Sequence, residues 1–250
     1  MRIVAGDWRG RTLVAPPGAA TRPTADRVRQ ALFDMLLHAE WGGRAAIEGA
    51  VVLDVFAGTG ALGLEALSRG AARACFIEND AAALKALRAN VAACKAGDRA
   101  EVLAVDALSL RGASRDGVPS YIPRHGPACP GHLSRHGAGI GGPDKPGHDD
   151  NGAHRTTKDD DKGARWAATD ARASLVFLDP PYGQNLVPRA LARLWDVGRI
   201  GSDALIVAEI GRDEVWASQQ PLLAERQHGA ARILVFRAGE GGGAYAIGAK

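Results

Sequence analysis

The sequence has few cysteines, no long apolar run and only a small excess of positive charge. Its three cysteines, Cys75, Cys94 and Cys129, are widely spaced, which argues against the cysteine-dense framework of small secreted domains. No stretch approaches the roughly 18 consecutive apolar residues that a membrane span requires. Residues 1–7 lack the apolar region of a signal peptide. We therefore expect a soluble cytoplasmic protein with no membrane partner.

The positive charge is concentrated near the N-terminus, although the net charge is only +3. The first 29 residues carry two acids and six arginines, which are Arg2, Arg9, Arg11, Arg22, Arg27 and Arg29. Because a guanidinium pairs with phosphate in a bidentate way, this basic segment indicates a nucleic-acid partner. The alternative is a solvated basic surface without a partner.

Apolar periodicity predicts a small N-terminal unit. Residues 2–5 and 11–14 are short apolar runs separated by turn residues, which predicts a β-hairpin or two edge strands. Residues 25–39 have the spacing of an amphipathic helix, with Thr24 at the expected N-cap. We assign residues 1–40 to a hairpin-helix extension at the entrance for substrate and cofactor.

Strands and helices alternate from residue 51 onward. The predicted strands are 51–56, 74–77, 102–105, 175–178 and 205–208, the helices between them are 62–68, 81–93 and 186–194, and an antiparallel pair follows at 222–224 and 233–236, bridged by 226–231. This alternation predicts an α/β fold with a doubly wound, mostly parallel seven-stranded sheet covered by helices on both faces. We assign residues 41–250 to this domain.

The segment 112–165 interrupts that domain and differs from it in composition. It contains eleven glycines, six prolines and five of the seven histidines. Such a composition cannot bury enough apolar surface to offset its ordering entropy, so we expect a mostly disordered insertion. Four of its residues have ligand-like spacing, namely Cys129, His132, His136 and His148. With a single cysteine in a glycine-rich chain nothing preorganises a site, and we expect no metal.

A glycine turn follows the first strand of the domain, in LDVFAGTGALGLEAL (53–67). Gly58, Gly60 and Gly63 match G-x-G-x-x-G, and Glu78 ends the next strand at the distance typical of dinucleotide-binding folds. A nicotinamide-dependent dehydrogenase and a turn without a ligand are therefore two alternatives. Asp54 lies inside the strand and disfavours a doubly negative pyrophosphate. It suits S-adenosylmethionine better, because that molecule carries an ammonium and a sulfonium.

Acids also follow the next two strands. Glu78 is placed to accept hydrogen bonds from ribose hydroxyls, and Asp106 to reach an adenine amino group. Because doubly wound folds bind ligands at the carboxyl edge of the sheet, we expect these acids and Asp54 to share one site. Asp106 taken alone is also explained as a loop acid before Ala107, and the interpretation depends on the set of three acids.

The fourth predicted strand ends in an unusual way, in LVFLDPPYG (175–183). Asp179 and the carbonyl of Pro180 present two acceptors, which can bind both hydrogens of an exocyclic base amine. Holding those hydrogens orients the nitrogen and frees its lone pair toward a sulfonium methyl group. Pro180 and Pro181 keep the acceptors rigid, and Tyr182 offers a face for base stacking. The alternative is a strand terminator with a packing tyrosine.

These motifs and the N-terminal segment resemble a known family. MRIVAGDWRGRTLVAPPG (1–18) and TRPTADRVRQALFDML (21–36) closely resemble the bacterial methyltransferases that modify a guanine N2 in 16S ribosomal RNA. Asp-Pro-Pro-Tyr resembles the signature of amino-methyltransferases. The resemblance implies a Rossmann-like class I methyltransferase fold, S-adenosylmethionine as cofactor, and 16S rRNA in a small-subunit particle as partner, with a guanine of the 966 type as acceptor.

The resemblance also implies roles for individual residues. Those implied to bind the cofactor are Asp54, Phe56, Gly58, Gly60, Glu78, Asn79, Asp106 and Ala107. Those implied to be catalytic are Asp179, Pro180, Pro181 and Tyr182, and those implied to contact the substrate are Arg22, Thr24 and Arg27. Two other functions stay open, namely methylation of adenine N6 and rRNA binding without catalysis, the insertion having abolished activity. We expect a monomer.

Overall fold

The computed structural model describes residues 1–16, 23–111, 172–216 and 218–239. The predicted insertion at 112–165, its four candidate metal ligands and Arg22 lie outside the described residues. Within the described ranges, no helix combines the length and apolar character that crossing a membrane would require.

Seven strands form one mixed sheet. The strands are β1 (Val51–Val55), β2 (Arg73–Glu78), β3 (Ala100–Ala104), β4 (Ala173–Leu178), β5 (Ile200–Gly211), β6 (Leu222–His228) and β7 (Ala231–Arg237), and the helices are α1 (Pro23–His38), α2 (Ala61–Ser68), α3 (Ala81–Ala93) and α4 (Leu186–Asp196). The spatial order is β3-β2-β1-β4-β5-β7-β6. The first five strands in that order run parallel, and β7 is antiparallel to both of its neighbours. The predicted seven-stranded α/β sheet is confirmed.

The sheet is buried on both faces. Side chains of a strand alternate between faces, so Phe177 of β4 joins the core under α1, α2 and α3, while Val176 joins the core under α4. On the first face, the Phe33 ring of α1 lies 5.7 Å from the Phe177 ring, centroid to centroid. On the other face, Leu191 of α4 is fully buried. Burial on both faces explains why the central strands are continuously apolar.

Several boundaries differ from the sequence prediction. Helix α1 begins at Pro23, so Thr24 lies in its first turn and is not its N-cap, consistent with the preference for proline at the first helical position. Strand β3 spans 100–104, not 102–105. Strands β6 and β7 are joined by two residues, not by 226–231, because Gly229 adopts φ +60° in a tight hairpin turn. Strand β5 is longer than the predicted 205–208, because Ile200 pairs with Ala173 at one end and the pairing with β7 continues to Gly211 at the other.

The N-terminal segment folds as a hairpin that shares the core of the sheet. Arg2 and Thr12 form an antiparallel bridge, and Ile3 and Leu13 are buried in the cluster under α1 and α2. The hairpin is attached to α2 by Glu65, whose fully buried carboxylate accepts the backbone N–H groups of Val4 at 2.8 Å and Ala5 at 3.0 Å.

Two buried arginines neutralise Glu65. Arg69 Nε donates to its carboxylate at 2.8 Å, and Arg29 Nε lies 3.6 Å from it. One turn along α2, the Ser68 hydroxyl donates to the Ala5 carbonyl at 2.6 Å. Gly6 has φ +77°, and a Cβ there would lie 1.8 Å from the Ser68 carbonyl oxygen, so only glycine fits this contact. Helix α2 therefore fixes the hairpin through charge, hydrogen bonds and close approach.

Asn90 of α3 connects the end of the hairpin with the glycine turn. Its fully buried side chain accepts the Val14 N–H at 2.7 Å and donates to the Val14 carbonyl at 2.9 Å. The same amide nitrogen donates to the Thr59 carbonyl at 3.0 Å. The hairpin and the turn after β1 are thus held by one side chain.

Glu65→Ala is expected to lower the free energy of unfolding by about 3–5 kcal/mol, because two arginines and two backbone N–H groups lose a buried partner. The measurement is denaturant unfolding. The matched control is Glu48→Ala, which removes an exposed i,i+4 ion pair with Arg44 and is expected to change that free energy by less than about 1 kcal/mol. Equal effects of the two substitutions would contradict the role given to Glu65.

Candidate active site

The strand order reverses between β1 and β4, which is where doubly wound sheets bind their ligands. The parallel register pairs Val55 with Leu178, so the next residues, Phe56 and Asp179, leave the sheet side by side. The Asp179 N–H still reaches the Val55 carbonyl at 3.4 Å. The glycine turn and the Asp-Pro-Pro-Tyr segment therefore meet at one edge of the sheet.

The glycine turn is shaped by close packing as well as by conformation. Gly60 has φ +77° and precedes α2. A Cβ on Gly63 would lie 2.4 Å from the Phe76 ring, so the third glycine of the motif is required by contact with β2. Phe56 adopts φ +61°, a region that bulky residues avoid, and its side chain lines the cavity beside the turn. The fold thus maintains a strained aromatic at the site.

Glu78 fixes the geometry of the turn from the end of β2. Its Oε2 accepts the Gly58 N–H at 2.8 Å, and its Oε1 accepts the N–H groups of Asn79 at 2.7 Å and Asp80 at 2.8 Å. The carboxylate is nearly buried but forms part of the cavity wall. The sequence predicted the position of Glu78 at the site, while its support of the turn was not foreseen.

A cavity of about 460 Å³ lies against this edge. It is lined by Phe56, Glu78, Asn79, Asp80, Ala83, Asp179, Pro180, Pro181 and Tyr182. Seven of these nine residues were predicted as site residues from the sequence. Asp80 and Ala83 were not, although Asp80 carries a recognisable signal, since it is the N-cap of α3 and accepts the Ala83 N–H at 2.8 Å.

Five predicted cofactor residues lie outside this lining. Asp54 is buried behind the turn, where its carboxylate accepts the Gly63 N–H at 2.9 Å. Asp106 caps the 3-10 turn Ala107–Ser109 by accepting the Leu108 N–H at 3.0 Å, and Ala107 is buried. Gly58 and Gly60 form the turn itself. Contacts of these residues with a cofactor stay a prediction.

Of the three residues predicted to contact the substrate, the structure describes only the side chain of Arg27. Arg27 is exposed on α1. It does not line the cavity, and its contact with a substrate stays a prediction. The backbone of Thr24 lies in the first turn of α1.

The acids at the edge hold protons more tightly than usual. Burial raises the pKa of Asp54 to about 8, although its hydrogen bond from Gly63 acts in the opposite direction, and Asp179 and Glu78 add repulsion. Asp179 has an exposed side chain, but the surrounding walls limit its hydration, and this raises its pKa to about 7 together with the charge of Glu209. An edge with such a surplus of acid favours a positively charged ligand.

Strand β5 supports the Asp-Pro-Pro-Tyr segment from the other side. The Tyr182 hydroxyl donates to Glu209 Oε1, and the loss of hydration together with this hydrogen bond raises the pKa of Tyr182. Glu214 Oε2 accepts the N–H groups of both Gly183 and Gly211 at 3.2 Å. Neither glutamate is among the site residues predicted from the sequence. Glu209 could have been found by the rule applied to the other acids, because it follows a predicted strand.

Comparisons with known proteins agree with this architecture. A family model described as "Conserved hypothetical protein 95" matches residues 1–117. The Escherichia coli K12 protein "Ribosomal RNA small subunit methyltransferase D" is 46% identical over 209 residues, which cover 84% of this chain and 74% of that protein. The chain belongs to the ribosomal RNA small subunit methyltransferase D family. A Haemophilus influenzae protein of the same name is 28% identical over 215 residues, 86% of this chain and 80% of that one.

A solved structure supports the same assignment. The Escherichia coli structure named "Putative methyltransferase yhhF" is 30% identical to this chain, covers 96% of it and 98% of its own chain, and superposes with a TM-score of 0.61. The class I methyltransferase fold and the family predicted from the sequence are therefore confirmed, and the chain is a methyltransferase.

Asp54→Asn is expected to make folding stability less dependent on pH. Because the pKa of Asp54 is raised on folding from 3.8 to about 8, its contribution is fully present below pH 4 and is lost as pH rises through 8. Asn keeps the acceptor for Gly63 but cannot ionise, so the decline in unfolding free energy from pH 5 to 8 becomes shallower by up to about 1.4 kcal/mol per pH unit.

The measurement is denaturant unfolding of both proteins at several pH values in that range. Asp203→Asn, which neutralises an exposed carboxylate on β5, is the matched control. A slope changed equally by both substitutions would contradict the role given to Asp54.

Proposed function

We propose that this chain transfers the methyl group of S-adenosylmethionine to the exocyclic N2 of a guanine in 16S rRNA. The observation that carries the proposal is the junction of two motifs, since the Asp-Pro-Pro-Tyr segment after β4 lies directly beside the glycine turn after β1. Membership of the ribosomal RNA small subunit methyltransferase D family supports small-subunit ribosomal RNA as the substrate.

The cavity suits S-adenosylmethionine in size and charge. Its volume of about 460 Å³ lies within the roughly 300–1,000 Å³ of small-molecule sites. Glu78 and Asp80 offer carboxylate oxygens at one wall, and Phe56 offers an apolar surface. When bound, the cofactor supplies a methyl group on a positively charged sulfur, and the acidic edge formed by Asp54, Glu78 and Asp179 stabilises that charge.

Asp179 and Pro180 orient the amine of the base. An exocyclic amino group is a poor nucleophile because its lone pair is delocalised into the ring. The Asp179 carboxylate and the Pro180 carbonyl hold its two hydrogens, which favours a pyramidal nitrogen with its lone pair directed at the methyl carbon. The N2–methyl bond forms as the sulfur–methyl bond breaks, its electron pair remains on sulfur, and N2 then releases a proton to Asp179 or water. Tyr182, half exposed at the cavity, stacks on the ring.

The hairpin supplies a basic surface for the RNA. Arg2, Arg9 and Arg11 are exposed, and the first two line a second cavity of about 450 Å³ together with Gln30. Arg29 belongs to the buried Glu65 network and is not available. Exposed arginines bind phosphates and make the affinity depend on salt. We also propose that the acceptor guanine lies in a small-subunit particle and that the chain acts as a monomer in the cytoplasm.

The test is transfer of labelled methyl from S-adenosylmethionine to 16S rRNA, free and in small-subunit particles, followed by nucleoside analysis. Label is expected in N2-methylguanosine. Asp179→Ala is expected to lower kcat by about 100-fold and to weaken donor binding by a smaller factor, because Asp179 holds the amine and also lines the donor cavity, and Asp203→Ala is the exposed control. Label in N6-methyladenine would overturn the acceptor, and RNA binding without donor binding in calorimetry would favour the non-catalytic alternative.

The rate is expected to fall in acid. Because the pKa of Asp179 is raised to about 7, kcat/KM for the donor rises with pH and levels off above 7, where the carboxylate is ionised. In the ternary complex the sulfonium favours the carboxylate, so the midpoint for kcat lies at lower pH than that for kcat/KM. The measurement is the pH profile of both constants, and Asp179→Asn should abolish this limb. A profile that persists unchanged in that variant would contradict the role of Asp179.

A further inference from the structure

A second carboxylate stands next to Asp179 at the edge of the sheet. Strands β4 and β5 are parallel and pair Leu178 with Ala208, so Asp179 and Glu209 occupy the following matched positions. Neighbouring strands are about 4.8 Å apart, and matched residues direct their side chains to the same face. The negative charge of Glu209 contributes to the raised pKa of Asp179, after the larger effect of desolvation.

Glu209 retains an acceptor that the fold does not use. The side chain is half-buried, and among the described residues its hydrogen-bond donor is the Tyr182 hydroxyl, which binds Oε1. That contact leaves Oε2 available. It also keeps Glu209 next to the ring on which the base would stack, so the carboxylate and the stacking surface have a fixed relation.

Glu209 lies on the side of Asp179 that is away from the cavity proposed for the methyl donor. The 460 Å³ cavity is walled by residues after β1 and β2, by the start of α3 and by the Asp-Pro-Pro-Tyr segment. Strand β5 lies on the opposite side of β4 from β1 and β2. With the donor in the cavity, the base approaches Asp179 from the side of β5, where Glu209 is the neighbouring acid.

The edge of guanine matches two adjacent carboxylates. Guanine presents the N2 amino group and, beside it, the N1–H donor, whereas adenine places an N1 acceptor beside its amino group. Two carboxylates can accept from N2–H and N1–H together, and the same pair would repel the N1 lone pair of adenine. A buried or half-buried polar group left unpaired in this way is a strong source of discrimination.

We propose that Glu209 is the specificity-determining residue that accepts the N1–H of the target guanine while Asp179 holds the N2 amine. This assignment rests on the proposed function and names the feature of the base that the site selects. Tyr182 contributes by holding Glu209 in place through its hydroxyl, and Glu214 contributes by fixing Gly183 and Gly211 around it.

The test compares two RNAs that differ at the target nucleotide, which carries either guanine or 2,6-diaminopurine. The analogue keeps the N2 amino group but has an acceptor at N1. The unaltered chain is expected to prefer guanine by at least about 100-fold in kcat/KM. Glu209→Gln can donate its amide N–H to the N1 acceptor, so the preference should fall at least tenfold. The change at position 6 of the base is the same for both enzymes and cancels in the comparison.

Two further variants make the outcome decisive. Glu214→Gln alters a carboxylate in the segment that follows β5 and keeps an acceptor for the N–H groups of Gly183 and Gly211, so it should leave the ratio of the two substrates unchanged, whatever it does to the rate. Glu209→Ala should also lower the preference, because no acceptor for N1–H remains. If Glu209→Gln and Glu209→Ala slow both substrates equally, Glu209 acts only through Tyr182 and the assignment is wrong. Absence of any methyl transfer by the unaltered chain would instead overturn the proposed function itself, and the assignment with it.

Discussion

The pairing of β1 with β4 is the constraint on which the site depends. These strands are distant in sequence, yet their register brings Phe56 and Asp179 together where the order of the sheet reverses. A slip of one residue would turn Asp179 to the other face. The register is kept by burial on both sides, with Phe177 packed against α1 and Val176 against α4. The packing of the core therefore fixes the relative positions of Phe56 and Asp179 at the candidate active site.

The electrostatics of the edge follow from the same arrangement. Asp54, Glu78, Asp179 and Glu209 come from four neighbouring strands, and each is held by hydrogen bonds or crowded by protein. Desolvation first, and the negative charge gathered at this edge second, raise the pKa values of Asp54 and Asp179, which disfavours the folded state at neutral pH. A cationic ligand relieves that cost. Binding of the donor and ionisation of the acids are consequently linked.

The sequence was sufficient to predict the succession of strands and helices along the chain, but not the partners of individual side chains. The apolar pattern and the composition predicted the buried strands and the glycine turn, because burial on both faces of the sheet requires a continuous apolar run, as at 51–55 and 175–178. The contacts of Glu65 with residues 4 and 5, or of Glu78 with three amides, join positions that no local pattern relates. The start of α1 at Pro23 differs from the prediction because proline is favoured at the first helical position, whereas Thr24 was expected to be the N-cap. Glu209 directly follows the predicted strand 205–208, but the rule that located the other acids was not applied to that strand.

The side chain of Asn90 has a consequence for how this enzyme can change over evolution. Since one amide binds both Val14 and Thr59, an altered length or angle in the opening hairpin is transmitted to the glycine turn, which is predicted to contact the methyl donor. Substitutions in the hairpin that adapt it to an RNA of different shape would thus change the affinity for the donor, even where no residue in contact with the donor is replaced. The proposed RNA contact of the hairpin and the proposed donor contact of the glycine turn both depend on Asn90, so a substitution that alters one requires a compensating substitution for the other.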